Sequence, residues 1–183
     1  MHIIGITGTL GAGKGTIVEY LIQKYGFQHC SVRAFLIKEI EKRNMPVNRD
    51  SMVIVANDLR TQYGPSYIVE QLYEEAKLTN KNTIIESIRA VGEAEALKKK
   101  WTFSLFAIDA DQKIRYERNK LRNSETDQIS YQEFINNEER EMKNTDPNKQ
   151  NLANCIELAD FKIENNGTKE ELHSKIDEII KKI

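Results

Sequence analysis

The sequence contains few of the residues that mark unusual protein classes. Its 183 residues include two cysteines, three prolines and nine glycines. Cys30 and Cys155 stand far apart, and His29 beside Cys30 is the one histidine close to either, so their spacing excludes a zinc finger and a disulfide scaffold. So few glycines and prolines exclude a linker or a low-complexity chain. The remaining composition, 39% hydrophobic and 30% charged, is that of an ordinary globular domain.

Neither a strong net charge nor a long apolar run is present. The formal net charge of -1 argues against a generally basic nucleic-acid-binding protein. The sequence also has no cluster of basic and aromatic residues that would indicate a nucleic-acid partner. The apolar run near the start, from Ile3 to Ile6, is far shorter than a membrane span or the apolar part of a signal segment. We therefore expect no membrane association and a cytoplasmic location, and the sequence leaves the oligomeric state open.

Short apolar runs alternate with amphipathic stretches along the chain. Strands are predicted over residues 2–7, 27–30, 82–87, 101–108 and 161–163. Helices are predicted after residue 15 and over 32–42, 51–63, 67–78, 94–100, 112–122, 130–143 and from 168 onward, the last two opened by capping boxes. The alternation predicts one α/β domain over residues 1–183, with a doubly wound parallel sheet of five strands.

A glycine-rich stretch from Gly8 to Thr16 lies between the first strand and the first helix. Glycines allow the backbone to wrap a phosphate chain with its N–H groups pointing inward, and the following helix adds its own free N–H groups and its dipole. Lys14 is expected to contact the β- and γ-phosphates of a nucleotide, and the Thr16 hydroxyl a phosphate or Mg²⁺. The predicted nucleotide-binding residues here are Gly8, Gly11, Ala12, Gly13, Lys14, Gly15 and Thr16. The alternative is a glycine-rich turn that holds no ligand.

The order Gly-Lys-Gly-Thr at 13–16 departs from the usual Gly-Lys-Ser/Thr and resembles the phosphate loop of adenylate kinases and other nucleoside-monophosphate kinases. Residues 84–89, Ile-Ile-Glu-Ser-Ile-Arg, followed by Glu93, resemble a segment in which those kinases have an apolar strand, an acid, Gly, Arg and a downstream Gln. Residues 115–122 resemble their lid-flanking helix, and residues 159–168 resemble a C-terminal segment of dephospho-CoA kinases. The whole chain resembles a poorly characterised archaeal group related to adenylate kinase.

The resemblance implies an architecture and a reaction. The strand order would be 2-3-1-4-5, with acceptor-side helices at about 31–80 and a small helical lid at about 115–145. The reaction would transfer the γ-phosphoryl group of ATP, with Mg²⁺, to a small acceptor. The implied catalytic residues are Lys14, Glu86, Arg118 and Arg122, and Asn166 and Gly167 would border the adenine.

Further charged residues are candidates for the acceptor side. Glu86 ends a predicted strand, where ligands of parallel sheets bind, and with Thr16 it is a candidate for holding Mg²⁺, directly or through water. By the resemblance, the substrate-binding residues are Arg33, Arg60, Arg89 and Glu93. Each has a structural alternative: Glu86 as a helix cap or ion-pair partner, the arginines as solvated surface residues, and the loop at 166–168 as a plain turn.

Three functions remain open at this point. The first is an ATP-dependent phosphotransferase whose acceptor is a nucleoside or deoxynucleoside monophosphate. The second is a coenzyme-precursor kinase similar to dephospho-CoA kinase, although residues 31–34, Ser-Val-Arg-Ala, lack the Asp that those kinases carry in this region. The third is a regulatory module that senses a nucleotide with little or no turnover. The acceptor and the preference among ATP, GTP and dATP are left open.

Overall fold

The computed structural model describes residues 1–100, 102–121, 129–146 and 148–183. The strands in this part of the chain are β1 (Ile3–Gly8), β2 (Gln28–Ser31), β3 (Thr83–Glu86), β4 (Phe103–Asp109) and β5 (Phe161–Glu164). The helices are α1 (Lys14–Tyr25), α2 (Val32–Lys42), α3 (Arg49–Tyr63), α4 (Tyr67–Lys77), α5 (Val91–Lys100), α6 (Gln112–Leu121), α7 (Tyr131–Met142), α8 (Leu152–Glu157) and α9 (Lys169–Ile180).

The five strands form one parallel sheet in the order β2-β3-β1-β4-β5. β1 is central, with Ile4 opposite Ile84 of β3 and Ser104 of β4. Helices cover both faces of the sheet, as parallel sheets require. The predicted fold class and the strand order implied by the resemblance are both confirmed. Because all strands point the same way, the carboxyl ends of β1, β2 and β3 meet at one edge of the sheet, beside the glycine-rich loop.

Two apolar layers hold the helices to the sheet. Side chains of β1 alternate between the layers, so that Ile3 faces one and Ile4 and Ile6 face the other. The first layer packs α2 to α5 through residues such as Ile40 and Ile68, and the second packs α1 and α9. The helices that flank the site are therefore fixed to opposite faces of the same sheet.

The helices depart from the prediction most clearly at α3, α5 and α8. Helix α3 starts at Arg49 instead of residue 51, because the Asn48 side chain accepts a hydrogen bond from the Ser51 amide and caps the helix. Helix α5 starts at Val91 instead of residue 94, because Glu93 accepts a hydrogen bond from the amide of Ala90. Helix α8 was not predicted, since six residues are too few to show a helical period.

The two predicted capping boxes are confirmed, at Ser130 with Glu133 and at Thr168 with Glu171. The predicted lid includes helices α6 and α7, but residues 122–128 between them lie outside the described residues, and the lid remains a prediction, as does the division into acceptor-side helices. Among the described residues, no helix is long and apolar enough to span a membrane.

Candidate functional site

The loop between β1 and α1 has a backbone that requires glycine. Gly11 and Gly13 have φ angles of 79° and 104°, which side chains of L residues rarely adopt. A Cβ atom at Gly11 would collide with the backbone of Arg115, and one at Gly13 would collide with the side-chain amide of Asn165. The glycines therefore allow the loop backbone to turn and to lie directly against Arg115 and Asn165.

Lys14 is the first residue of α1 and folds back over the loop. Its Nζ atom donates hydrogen bonds to the carbonyl oxygens of Gly8, at 2.8 Å, and Thr9, at 2.7 Å. The side chain lines a cavity of about 600 Å³, a volume within the usual range for small-molecule sites. The ammonium thus lies between the loop backbone and the open space where a phosphate would bind.

A set of polar contacts braces the loop from behind. Asn165 Nδ2 donates to the carbonyl oxygen of Ala12 at 2.8 Å, and Arg115 Nη1 donates to that of Leu10 at 3.3 Å. Arg118 Nη1 donates to the backbone oxygen of Asn165 at 2.9 Å. Arg118, a predicted catalytic residue, therefore supports the brace of the loop and is not among the described residues that line the cavity.

The predicted adenine-bordering residues lie next to this brace. Asn166 Oδ1 accepts a hydrogen bond from the Asp111 amide at 2.8 Å, and Asn166 Nδ2 donates to Glu164 Oε1 at 2.7 Å. Gly167 lies close against Glu171. These contacts tie the turn before α9 to the start of α6. The other predicted catalytic arginine, Arg122, lies outside the described residues.

Most of the predicted residues meet in the cavity itself. Its lining includes the predicted Gly11, Gly13, Lys14, Gly15, Thr16, Arg33, Arg60, Glu86 and Arg89. Gly8 and Ala12 are buried within the loop instead. Apolar side chains of α2 and α3, such as Leu36 and Met52, form one wall. The cavity therefore joins a phosphate loop to an arginine-bearing wall on the α2 to α4 side of the sheet.

Glu86 ends β3 at the base of the cavity and is largely buried. Its Oε1 atom lies 3.6 Å from His29 Nε2 and accepts a hydrogen bond of 3.4 Å from Ser31 Oγ. Burial alone would raise the pKa of Glu86, but His29, Lys14 and Ser31 outweigh it and hold the pKa below its ordinary value. The carboxylate is therefore ionised at neutral pH.

The donor set at this point suits a hard cation. Mg²⁺ usually takes one or two protein oxygens and fills its remaining positions with water and phosphate oxygens. The Thr16 hydroxyl and the Glu86 carboxylate, which both line the cavity, match that pattern. Within the described ranges, no group of three or more His, Cys, Asp or Glu side chains is placed to hold a metal by itself.

Arg60 and Glu93 form a fully buried pair. Arg60 donates to Glu93 Oε1 from Nε at 3.0 Å and from Nη2 at 2.7 Å. Glu93 Oε2 accepts hydrogen bonds from the amides of Arg89, at 3.0 Å, and Ala90, at 3.1 Å. Glu93 is not among the described residues that line the cavity. Its position links the floor of the cavity to the turn that carries Arg89.

Arg33 and Arg89 lie at different depths. Arg33 is exposed at the rim, where its Nη1 atom is 3.2 Å from Met52 Sδ. Arg89 is largely buried, pairs with Glu141 of α7 and donates to Gln150 Oε1 at 3.4 Å. Glu141 also accepts a hydrogen bond of 2.5 Å from the Nη2 atom of Arg49, which is the first residue of α3.

The sequence predicted no role for three further residues that line the cavity, Arg49, Glu141 and Gln150. Glu141 belongs to the run 138–141, Glu-Glu-Arg-Glu, which has the pattern of a solvated helix face. The contact that buries it joins residues 92 positions apart. The Asn48 cap signal points to the start of α3 and thus to Arg49, but no local signal indicates the pairing with Glu141.

The comparisons with known proteins agree with this fold. A family model described as an AAA domain matches residues 4–144. The chain is 32% identical to a UPF0200 protein of Methanococcus maripaludis, over 100% of this chain and 98% of that protein. A crystal structure of TT1252 from Thermus thermophilus matches with a TM-score of 0.68 at 18% identity, covering 100% and 97% of the two chains. A shikimate kinase from Bacteroides thetaiotaomicron matches with a TM-score of 0.61 at 12% identity, covering 98% of each chain. At these identities the two structures show a shared fold.

Proposed function

This chain belongs to the UPF0200 family and carries an AAA domain, and on that premise we propose that it is an ATP-dependent phosphotransferase acting on a nucleoside or deoxynucleoside monophosphate. One observation carries the proposal. Lys14, Thr16 and Glu86, which suit a triphosphate and its Mg²⁺, line the same cavity as the arginines Arg33 and Arg89, which suit an anionic acceptor. Both substrates would therefore meet in one space.

On the donor side, the loop amides and Lys14 bind the phosphates of ATP. The Lys14 ammonium exchanges the carbonyl oxygens of Gly8 and Thr9 for phosphate oxygens, which carry more negative charge. Thr16 and Glu86 would hold Mg²⁺, which neutralises charge on the β- and γ-phosphates when bound. Asn165 and Arg115 keep the loop in place from behind.

On the acceptor side, an oxygen of the acceptor phosphate forms a bond to the γ-phosphorus while the bond from that phosphorus to the β–γ bridging oxygen breaks. ADP leaves with the electron pair of the broken bond. A phosphate oxygen is already deprotonated at neutral pH, so this reaction needs no strong general base, in agreement with the absence of Asp from residues 31–34. Arg89 stabilises the transferred charge, and the buried Glu93 positions both Arg89 and Arg60.

The test is ADP release measured with Mg²⁺, ATP and a panel of nucleoside and deoxynucleoside monophosphates, with dephospho-CoA in a separate arm. Lys14→Ala should weaken nucleotide binding by about tenfold to a hundredfold, the range expected for hydrogen bonds to a charged group. Lys38→Ala, at an exposed lysine of α2, is the matched control and should bind nucleotide as the unmodified chain does. Equal nucleotide affinity in the Lys14→Ala variant would contradict the proposal.

A second candidate is the nucleotide-sensing module. The observation in its favour is that Arg60 and Arg89 already pair with carboxylates of this chain, Glu93 and Glu141, which leaves less positive charge for an acceptor. Nucleotide binding that depends on Lys14, together with no turnover on any acceptor in the panel, would support this function over the phosphotransferase.

A further inference from the structure

Two guanidinium groups share a single carboxylate in the wall of the cavity. Glu141, only 6% exposed, lies between Arg49 and Arg89, whose side chains are about four-fifths buried. Burial alone would raise the pKa of Glu141, but Arg89 and Arg49 hold it below its ordinary value, so the carboxylate is charged. All three side chains line the cavity.

The charge and the hydrogen bonds of this cluster are not balanced. Two positive charges face one negative charge, which leaves an excess of one. The Nε atom of Arg49 is buried and has no hydrogen-bond partner within the described part of the chain. A buried N–H donor without a partner is rare and costly in a protein without a ligand. The cluster therefore suits an anion that carries more negative charge and more hydrogen-bonding oxygens than a carboxylate does.

We propose that Arg49 and Arg89 form the anion subsite of the acceptor cavity, and that a phosphate monoester group binds there by displacing the Glu141 carboxylate. A phosphate dianion balances both guanidinium charges, and its three terminal oxygens accept more hydrogen bonds than the two of Glu141. That this phosphate group belongs to a substrate rests on the proposed function. That phosphate binds at this subsite does not.

Displacement requires only that the Glu141 side chain turns away from the two guanidinium groups, while α7 keeps its place on α3. The neighbouring residues of the same two helices form a second ion pair, from Arg140 Nη1 to Asp50 Oδ1 at 2.9 Å, which is exposed. This second pair provides a matched control, because it joins the same helix ends but does not line the cavity. Glu141 thus competes with the acceptor, while the Arg140–Asp50 pair has no part in binding it.

The experiment measures the affinity of inorganic phosphate by calorimetry and by thermal shift. All variants carry Lys14→Ala, so that phosphate binding at the glycine-rich loop is weakened equally in each. Glu141→Gln should raise the affinity for phosphate by about tenfold, because the competing charge is gone. Acetate, which carries one charge, should gain less than phosphate. Adding Arg49→Gln to Glu141→Gln should remove the gain, and Arg140→Gln should show none.

Three results would overturn the subsite: no gain in Glu141→Gln, a gain that survives Arg49→Gln, or an equal gain in Arg140→Gln. If Glu141→Gln is too unstable for calorimetry, the phosphate-dependent rise in its melting temperature is compared with that of Glu141→Asp, which keeps the charge but shortens the reach and should show a smaller rise. Failure of the proposed function would appear elsewhere, as nucleotide binding that is indifferent to Lys14.

Discussion

At the scale of single residues, Ser87 is the one cavity residue outside the glycine-rich loop with a left-handed backbone among those the structure describes, at φ 64°. It follows Glu86, and kinases of the resembled family have glycine at the corresponding place. A non-glycine residue in this conformation is strained, and such strain often occurs at functional sites. The turn at Ser87 brings Arg89 into contact with Glu141.

Ser87→Gly should therefore raise the free energy of unfolding by about 1 kcal/mol, because glycine adopts positive φ without a steric cost. Urea denaturation measures the change. The control is Ser66→Gly, at a serine with φ of -97° that bonds to Glu70, where the same substitution should lower stability. A loss of stability in Ser87→Gly would show that the backbone there is not strained.

Asn165 and Asn166 are adjacent but have different environments. Asn165 is buried and donates to Ala12 of the loop, whereas Asn166 is exposed. Asn165→Ala should cost about 1–3 kcal/mol of stability, since it leaves the buried carbonyl of Ala12 without its partner. It should also weaken nucleotide binding. Asn166→Ala should change stability and nucleotide affinity less. A larger effect of Asn166 on nucleotide affinity would favour the contact with adenine that the family resemblance implies. Thermal unfolding and nucleotide titration of the two variants decide between these outcomes.

At the scale of elements, a buried ion pair joins helices α6 and α7. Arg115 donates to Glu138 through Nη1 at 2.7 Å and through Nη2 at 2.8 Å, and its guanidinium lies 5.7 Å from the centre of the Phe134 ring. The same side chain reaches Leu10 of the loop. Residues 115–122 resemble a lid-flanking helix, and the structure buries the first of them, Arg115, under α7, where it joins the two helices.

Glu138→Gln should cost about 3 kcal/mol, because it leaves the buried Arg115 charge with only the half-exposed Asp109 as an ionic partner. Glu139→Gln, one residue further along α7 and exposed, should cost little. Chemical denaturation of both variants measures the difference. Equal costs would mean that the pair contributes no more than a surface charge.

Segments with a clear local sequence signal could be predicted, whereas a very short helix and the contacts between elements distant in the chain could not. The Gly8–Thr16 loop and the Ser130 and Thr168 caps have local signals, so both their type and place follow from the sequence. Helix α8 has only six residues, and the junction of Arg49 with Glu141 depends on how α3 and α7 pack. Charged residues of that kind look like a solvated surface until the tertiary contacts are known.

At the scale of the whole molecule, the parallel sheet sets the position of the cavity, because the loop after β1 and the ends of β2 and β3 share one edge. The arginine wall is supplied by α2, α3 and the turn after β3, and α7 closes it from the other side. The cavity thus depends on contacts among elements from both halves of the chain. The protein should be more stable against unfolding when Glu141, which lies at these contacts, is ionised.

The unfolding free energy should depend on pH through Glu141. Arg89 and Arg49 lower its pKa in the folded state below the ordinary value of 4.5, so its contribution is present above pH 4.5 and is lost as the pH falls below that value. Glu141→Gln should therefore cost about 3 kcal/mol at pH 7 and progressively less in acid. Denaturation of both forms between pH 7 and 3 measures this, and a constant difference would contradict it.

The order of charges at the contact between α3 and α7 has one more consequence. Arg49 and Asp50 on one helix meet Glu141 and Arg140 on the other. A shift of α7 by one residue in one direction along α3 would bring Arg140 against Arg49 and Glu139 against Asp50, so that two attractions become two repulsions. These charges therefore favour the observed alignment of α7 on α3 over the alignment shifted in that direction.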